Sequence, residues 1–233
     1  MKKQKAKKEE VIVLSVGGSL IVPGDIDTMF LSTFKDLILK GVRSGKRFVI
    51  ITGGGGVART YQAAVRLVAG GNDTDADWVG IDATRINARL VKASLKPHAE
   101  DHIIQSPLEK FSFKKSVIVG GGWKPGFSSD YDAVLLAKRF KAKKMVNLSN
   151  IDYVYTSDPR INAAAEKIEK ISWKEFRKLL PKKWTPGLSS PFDPIASKEA
   201  EKLKLQVAVI NGKKLHELDK FIAGESFIGT LIS

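Results

Sequence analysis

The chain has 233 residues, a formal net charge of +14 and no cysteine, which excludes disulfides, thiolate nucleophiles and cysteine-based zinc sites and fits a reducing cytoplasm. Its length allows a full hydrophobic core in one or two lobes. No apolar run approaches a membrane span, and the opening MKKQKAKKEE lacks the apolar stretch of a secretory signal, so the expectation is a soluble protein with a disordered basic tail over 1–10 and a single domain over 11–233.

In chain order, VIVLSV (11–16) predicts a strand, 27–45 an amphipathic helix and RFVIIT (47–52) a second strand, which together make a βαβ unit. Helices follow from Val57 to about Val68 and from about Val79 to Leu95, then strands near HIIQ (102–105) and SVIVG (116–120). DAVLLAKRF (132–140) reads as a helix, KMVNLS (144–149) as a strand, 172–180 and 194–204 as helices and QVAVIN (206–211) as a strand. Such alternation predicts an α/β fold, a three-layer αβα sandwich around a mainly parallel sheet. The most irregular stretch, 181–194, reads as a mobile surface loop.

Three of these strands run straight into glycine clusters: Gly17 and Gly18, Gly53 to Gly56, and Gly120 to Gly122. Ligands of open α/β sheets bind outside the carboxyl ends of the strands. Bare backbone N–H groups there, at helix N-termini, suit phosphate; a single glycine would have sufficed for a turn. No G-x-x-x-x-G-K-[ST] occurs, which excludes a P-loop. GGGGVA matches the looser dinucleotide pattern, but the acids that follow (Asp73, Asp75, Asp77) sit in a polar stretch that reads as a loop and not at a strand end, so a nicotinamide or flavin enzyme stays a minor alternative. His98, His102 and His216 form no zinc pattern. The excess positive charge extends well beyond the tail, yet its lysines fall on segments that read as solvated helix faces and no nucleic-acid motif accompanies them, so no nucleic-acid partner is expected.

The order VGGS, TGGGGVAR, DWVGIDATRINARLV, GGWKPGFSSDYDAVLLAKRF, NIDYVYTSDPR, DPIASKEAEKL and a final GTLI resembles the amino acid kinase superfamily, and within it the uridylate (UMP) kinases of archaea and some bacteria. The resemblance runs from about Val11 to the C-terminus. It implies transfer of the γ-phosphoryl group of ATP to UMP with Mg2+, in pyrimidine nucleotide synthesis, with the acceptor bound by about 11–145 and ATP by about 146–233. A homo-oligomer, a hexamer built from dimers, is also implied.

Carried over by residue, the resemblance places Gly54 on UMP, Gly55 on the ATP phosphates and Arg59 on a phosphate, with Ser15, Gly17, Gly18 and Ser19 in the first nucleotide loop. Asp77 would meet the acceptor nucleoside, its competing reading being a helix N-cap. Trp123, Lys124, Pro125, Gly126, Phe127, Ser128 and Ser129 would wrap the UMP, the two serines standing where threonines are frequent. Asp130 would organise the catalytic cations, an N-cap being again the alternative. Ser149, Asn150, Tyr155 and Asp158 match the ATP motif, with core packing the alternative for Tyr155. No residue pattern for a protein-held metal is evident.

One departure stands out: many members carry a lysine where this chain has Ser15. Lys124 and Lys198 are the candidates to replace that cation, each equally readable as a solvated lysine. Ser15 also keeps open a non-catalytic nucleotide or oxyanion-binding protein on the same fold. Kinases of acetylglutamate, aspartate, carbamate or isopentenyl phosphate remain alternatives within the superfamily.

Overall fold

In the computed structural model, residues 10–70, 73–181 and 190–233 are described. Most of the basic tail and most of the irregular 181–194 stretch lie outside them. The elements run β1 (Glu10–Val16), α1 (Gly18–Ile21), α2 (Thr28–Arg43), β2 (Lys46–Thr52), α3 (Gly55–Val68), α4 (Asp73–Ser94), β3 (Ala99–Ile104), β4 (Val117–Gly120) and α5 (Ser129–Phe140). They continue with β5 (Lys144–Ser149), the short β6 (Val154–Tyr155), β7 (Lys167–Ile168) and β8 (Lys170–Ile171), α6 (Trp173–Leu179), α7 (Pro194–Lys202), β9 (Gln206–Asn211), α8 (Leu215–Ala223) and β10 (Thr230–Ile232).

The main sheet has the order β3-β4-β2-β1-β5-β9-β10-β8, parallel from β3 through β9, with β10 antiparallel to β9. Alternate residues feed opposite cores. Ile12, Leu14, Phe48, Ile50 and Val146 pack under α2, α4 and α8, whereas Val13, Val49, Ile51, Met145 and Val207 pack under α5, α6 and α7. Each fully buried Phe, Ile or Leu contributes about 1.5–3 kcal/mol. The three-layer αβα sandwich expected from the sequence is the one found.

Caps explain most boundaries. Asp27 caps α2, Ser128 caps α5, Ser172 caps α6, and Asp193 caps α7 with Pro194 in its first turn. The reading of Asp73–Trp78 as a loop is corrected: α4 begins at Asp73, and Asp73 and Asp75 in its first turn complement the positive end of the helix dipole. Helix α8 and strands β6, β7, β8 and β10 were not anticipated; the strands are two or three residues long, too short for a period to register.

β1 lies between β2 and β5, and the chain leaves β1 toward β2 but leaves β5 toward β9, in opposite directions across the sheet. That is the topological switch point of the sheet. Gly17 N–H donates to the Leu148 carbonyl and Gly53 N–H to the Val16 carbonyl, at 2.9 Å each. The two glycine loops then cross in backbone contact: a Cβ on Gly18 would overlap the Gly55 amide nitrogen and lie 2.5 Å from the Gly53 carbonyl, and Gly55 itself has φ of +68°. Gly18→Ala is therefore expected to cost about 3 kcal/mol or more, seen as a lower denaturant midpoint. Gly24→Ala, with nothing within 4 Å, should change stability by less than about 0.5 kcal/mol. Equal small effects would contradict the crossing.

Candidate active site

The carboxyl ends of β4, β2, β1, β5 and β9 stand side by side, and each hands over to a loop or a helix start. Helix α3 starts directly from the glycine crossing with no side chain capping it and no acid in its first turn. Gly56 N–H donates to the Val22 carbonyl at 2.9 Å, and the positive end of the helix dipole, with no acid beside it, favours an anion. Asn87 on α4 fixes the loop by donating to the carbonyls of Gly53 (2.8 Å) and Gly54 (3.3 Å). Arg59, exposed one turn along α3, lines a surface depression of about 390 Å³ with Pro23, Gly24 and Gly56, and pairs with no acid among the described residues.

Ser15, buried near the end of β1, donates from Oγ to Asp130 Oδ1 at 2.8 Å. The Asp193 N–H donates to the other oxygen of Asp130 at 3.3 Å. Asp193 is itself buried, and its Oδ1 accepts from Ile195 N and Ala196 N at the start of α7. A serine in place of a lysine thus leaves Asp130 with two neutral donors and no cation. Burial pushes the Asp130 carboxyl up to about 6, with the nearby Asp193 carboxylate adding to the rise and the Ser15 hydrogen bond opposing it. Asp130 does not cap α5, as one reading had it; Ser128 Oγ does, accepting from Tyr131 N at 3.2 Å.

The loop from Trp123 to Ser129 folds against this centre. Its aromatic rings form a ladder, Trp123 to Phe127 at 5.2 Å and Phe127 to Tyr131 at 5.1 Å between centroids. Lys124 Nζ lies 4.3 Å from the Trp123 ring and 5.0 Å from that of Phe127, with no carboxylate partner among the described residues. Asp77 sits inside α4, not at its cap, and its Oδ2 accepts from Gly126 N at 2.9 Å. Asp77 and the loop are therefore brought together.

The other candidates are more scattered. Lys198 is exposed on α7, and no contact joins it to Ser15 or Asp130. Ser149 and Asn150 end β5, Tyr155 lies in β6 opposite Lys167, and Asp158 is bound by Arg160 at 2.7 Å, which holds its carboxyl below the ordinary range. Asp152, to which no role was given, joins this region to β9 by accepting from Asn211 Nδ2 (2.8 Å) and Lys214 Nζ (2.9 Å).

Sequence reasoning also passed over Asp132 and Asp193. For Asp193 the signal was the Asp-Pro pair of a helix start. Asp132 falls on the apolar face of α5 with Leu136, so it was a charged residue at a core position. Its carboxyl, buried and near Asp130 and Asp193, is pushed up to about 7 by desolvation, against the Trp123 N–H bond and the Arg85 charge. Among the described residues no three acidic or imidazole groups are placed to hold a metal ion. Magnesium fits here only in the manner usual for kinases, on substrate phosphates with one or two carboxylates.

The two raised carboxyls set a pH dependence. Both bind more protons in the folded than in the unfolded chain between about pH 4 and 7, so the stability they confer is present below pH 4 and lost as pH rises through 6 and 7. The ligand-free protein is expected to melt higher at pH 5.5 than at pH 7.5, and Asp132→Asn should flatten that slope. A melting temperature that rises with pH across this window would contradict the assignment.

Residues 10–211 match the family model described as the amino acid kinase family. The chain is 34% identical over 218 residues to a protein named uridylate kinase from Methanosarcina acetivorans, covering 92% of each. It is also 34% identical over 218 residues to one of that name from Pyrococcus abyssi, covering 92% of this chain and 96% of the relative. The crystal structure of uridylate kinase from Archaeoglobus fulgidus superposes with a TM-score of 0.82 at 30% identity, over 95% of this chain and 99% of that one. The fold, the glycine crossing and these matches agree: the chain belongs to the amino acid kinase family.

Proposed function

We propose that this protein is an ATP-dependent UMP kinase, transferring the γ-phosphoryl group of ATP to the phosphate of UMP to give UDP and ADP. The observation that carries the reading is the convergence of the glycine crossing, the start of α3 that no side chain caps and the Ser15–Asp130–Asp193 cluster at the carboxyl end of the sheet. It is supported by relatives named uridylate kinase that align over more than nine-tenths of both chains.

The chemistry suits the residues. A phosphate monoester has its second pKa near 6, so at neutral pH the acceptor is already an ionised nucleophile and no general base is required. What remains is alignment and neutralisation of charge. Gly54 would hold the acceptor phosphate, and Asp77 and the loop Trp123–Ser129 would hold the nucleoside, with Trp123 and Phe127 offering apolar faces to the base. Ser15, Gly17, Gly18, Ser19, Gly55 and Arg59 would bind the ATP phosphates, with Ser149, Asn150, Tyr155 and Asp158 on its nucleoside. Magnesium would supply further positive charge to those phosphates. Lys124, held only by aromatic faces, is the cation best placed to replace the lysine absent at Ser15; Lys198 is the less well placed of the two. Asp130 would order the donors around the transferring group.

A cytoplasmic role in pyrimidine nucleotide synthesis and a homo-oligomer, a hexamer built from dimers, complete the proposal. For assembly the support is α3, which buries only Gly55 and Ala58 and exposes Tyr61, Leu67 and Val68. No described helix is long and apolar enough to cross a membrane.

An ADP-release assay with MgATP against UMP, CMP, dUMP, acetylglutamate, aspartate and isopentenyl phosphate tests the reading. Turnover is expected with UMP. Asp130→Asn should lower kcat by about 100-fold, and Arg59→Ala should raise the KM for ATP by about tenfold. Turnover confined to another acceptor would discard UMP, and tight binding of both nucleotides with no turnover would favour a binding protein marked by Ser15.

A further inference from the structure

The acceptor loop is held at three places, and the hold at its first residue is unusual. The carbonyls of Gly122 and Trp123 accept from Arg85 Nε (3.3 Å) and Nη2 (3.1 Å) on α4, and Gly122 N–H donates to Thr84 Oγ1 at 2.6 Å. From the other side, Trp123 N–H donates to Asp132 Oδ2 at 3.0 Å. Asp132 is 1% exposed, and its Oδ1 is the one buried side-chain polar atom among the described residues that has no partner. Its neighbours on that face of α5 are apolar, Ala133, Leu136 and Ala137.

A carboxylate buried there, with one oxygen unpartnered, is a stability cost that an apolar side chain would avoid. The contact it makes falls on the first residue of the loop, and it comes from the helix that also carries Asp130. Facing it are Arg85 from α4, Asp130 from its own helix and Asp193 from the start of α7. We infer that Asp132 is a positioning residue that locks the Trp123 peptide to α5, so that the acceptor loop and Asp130 are held in one fixed relation.

This inference rests on the kinase reading only for its consequence on UMP; the tether itself is testable without substrate. Two variants of similar size separate acceptor from bulk. Asp132→Asn keeps an oxygen for Trp123 N–H, whereas Asp132→Leu removes it while filling the apolar site, so the fold is retained. In the ligand-free protein, amide hydrogen exchange over residues 121–129 should rise about tenfold in the Leu variant, stay near wild type in the Asn variant, and remain unchanged in β4 and β5.

Kinetically, Asp132→Leu should raise the KM for UMP about tenfold and leave that for ATP within about twofold, with Asp132→Asn close to wild type. Unchanged exchange in the Leu variant, or equal loosening of β4 and β5, would overturn the tether. Loop loosening with an unaltered KM for UMP would overturn its role in acceptor positioning. Absence of any UMP turnover in the wild type would count against the kinase reading alone, with the exchange result still deciding the tether.

Discussion

Everything at the active edge depends on two stretches of backbone meeting where side chains cannot fit. Gly18 lies against Gly53 and Gly55 so closely that a single methyl group would displace main-chain atoms. The contact arises because β1 and β2 are parallel neighbours whose ends, Val16 and Thr52, stand in register, so the loops that leave them meet. The crossing then fixes the start of α3 and leaves its N–H groups free of side-chain caps. The proposed phosphate site rests on strand order and the absence of Cβ atoms, before any charged residue is considered.

The charged residues supply the second layer of the account. A chain with net charge +14 nonetheless concentrates three carboxylates, Asp130, Asp132 and Asp193, beneath the site. Burial, with a lesser part from their mutual repulsion, raises two of them toward neutrality. With Ser15 in place of a lysine, the protein gives Asp130 neutral hydrogen-bond donors; under the proposed function, positive charge comes with the metal-nucleotide and from Lys124. That division suits phosphoryl transfer, in which most of the charge to be neutralised arrives with the substrates.

Much of this was legible in the sequence, and what was missed has definite causes. The glycine clusters after three apolar strands revealed the sheet and the glycine loops at its carboxyl end, since strand and loop there are local in sequence. Asp77 and the Trp123–Ser129 loop were identified separately, but their hydrogen bond spans 49 positions and no spacing rule reports it. The short strands β6, β7, β8 and β10 carry no period. Asp73–Trp78 looked like a loop because acids outweigh apolar residues there and glycines precede it, whereas acids are favoured in the first turn of α4. Asp132 was overlooked because a single acid in a helix normally marks a solvated face; here its partner is a backbone N–H supplied by another segment.

The central claim is that the glycine crossing and the α3 start seat two phosphate groups face to face. Calorimetric titration with a bisubstrate analogue, adenosine and uridine joined through five phosphates, measures this most directly. The account predicts one site per chain and an affinity at least about 100-fold tighter than that of ATP or UMP alone, because one molecule spans both halves. An affinity within a few-fold of that for ATP would mean that the two halves do not face each other, and would contradict the account.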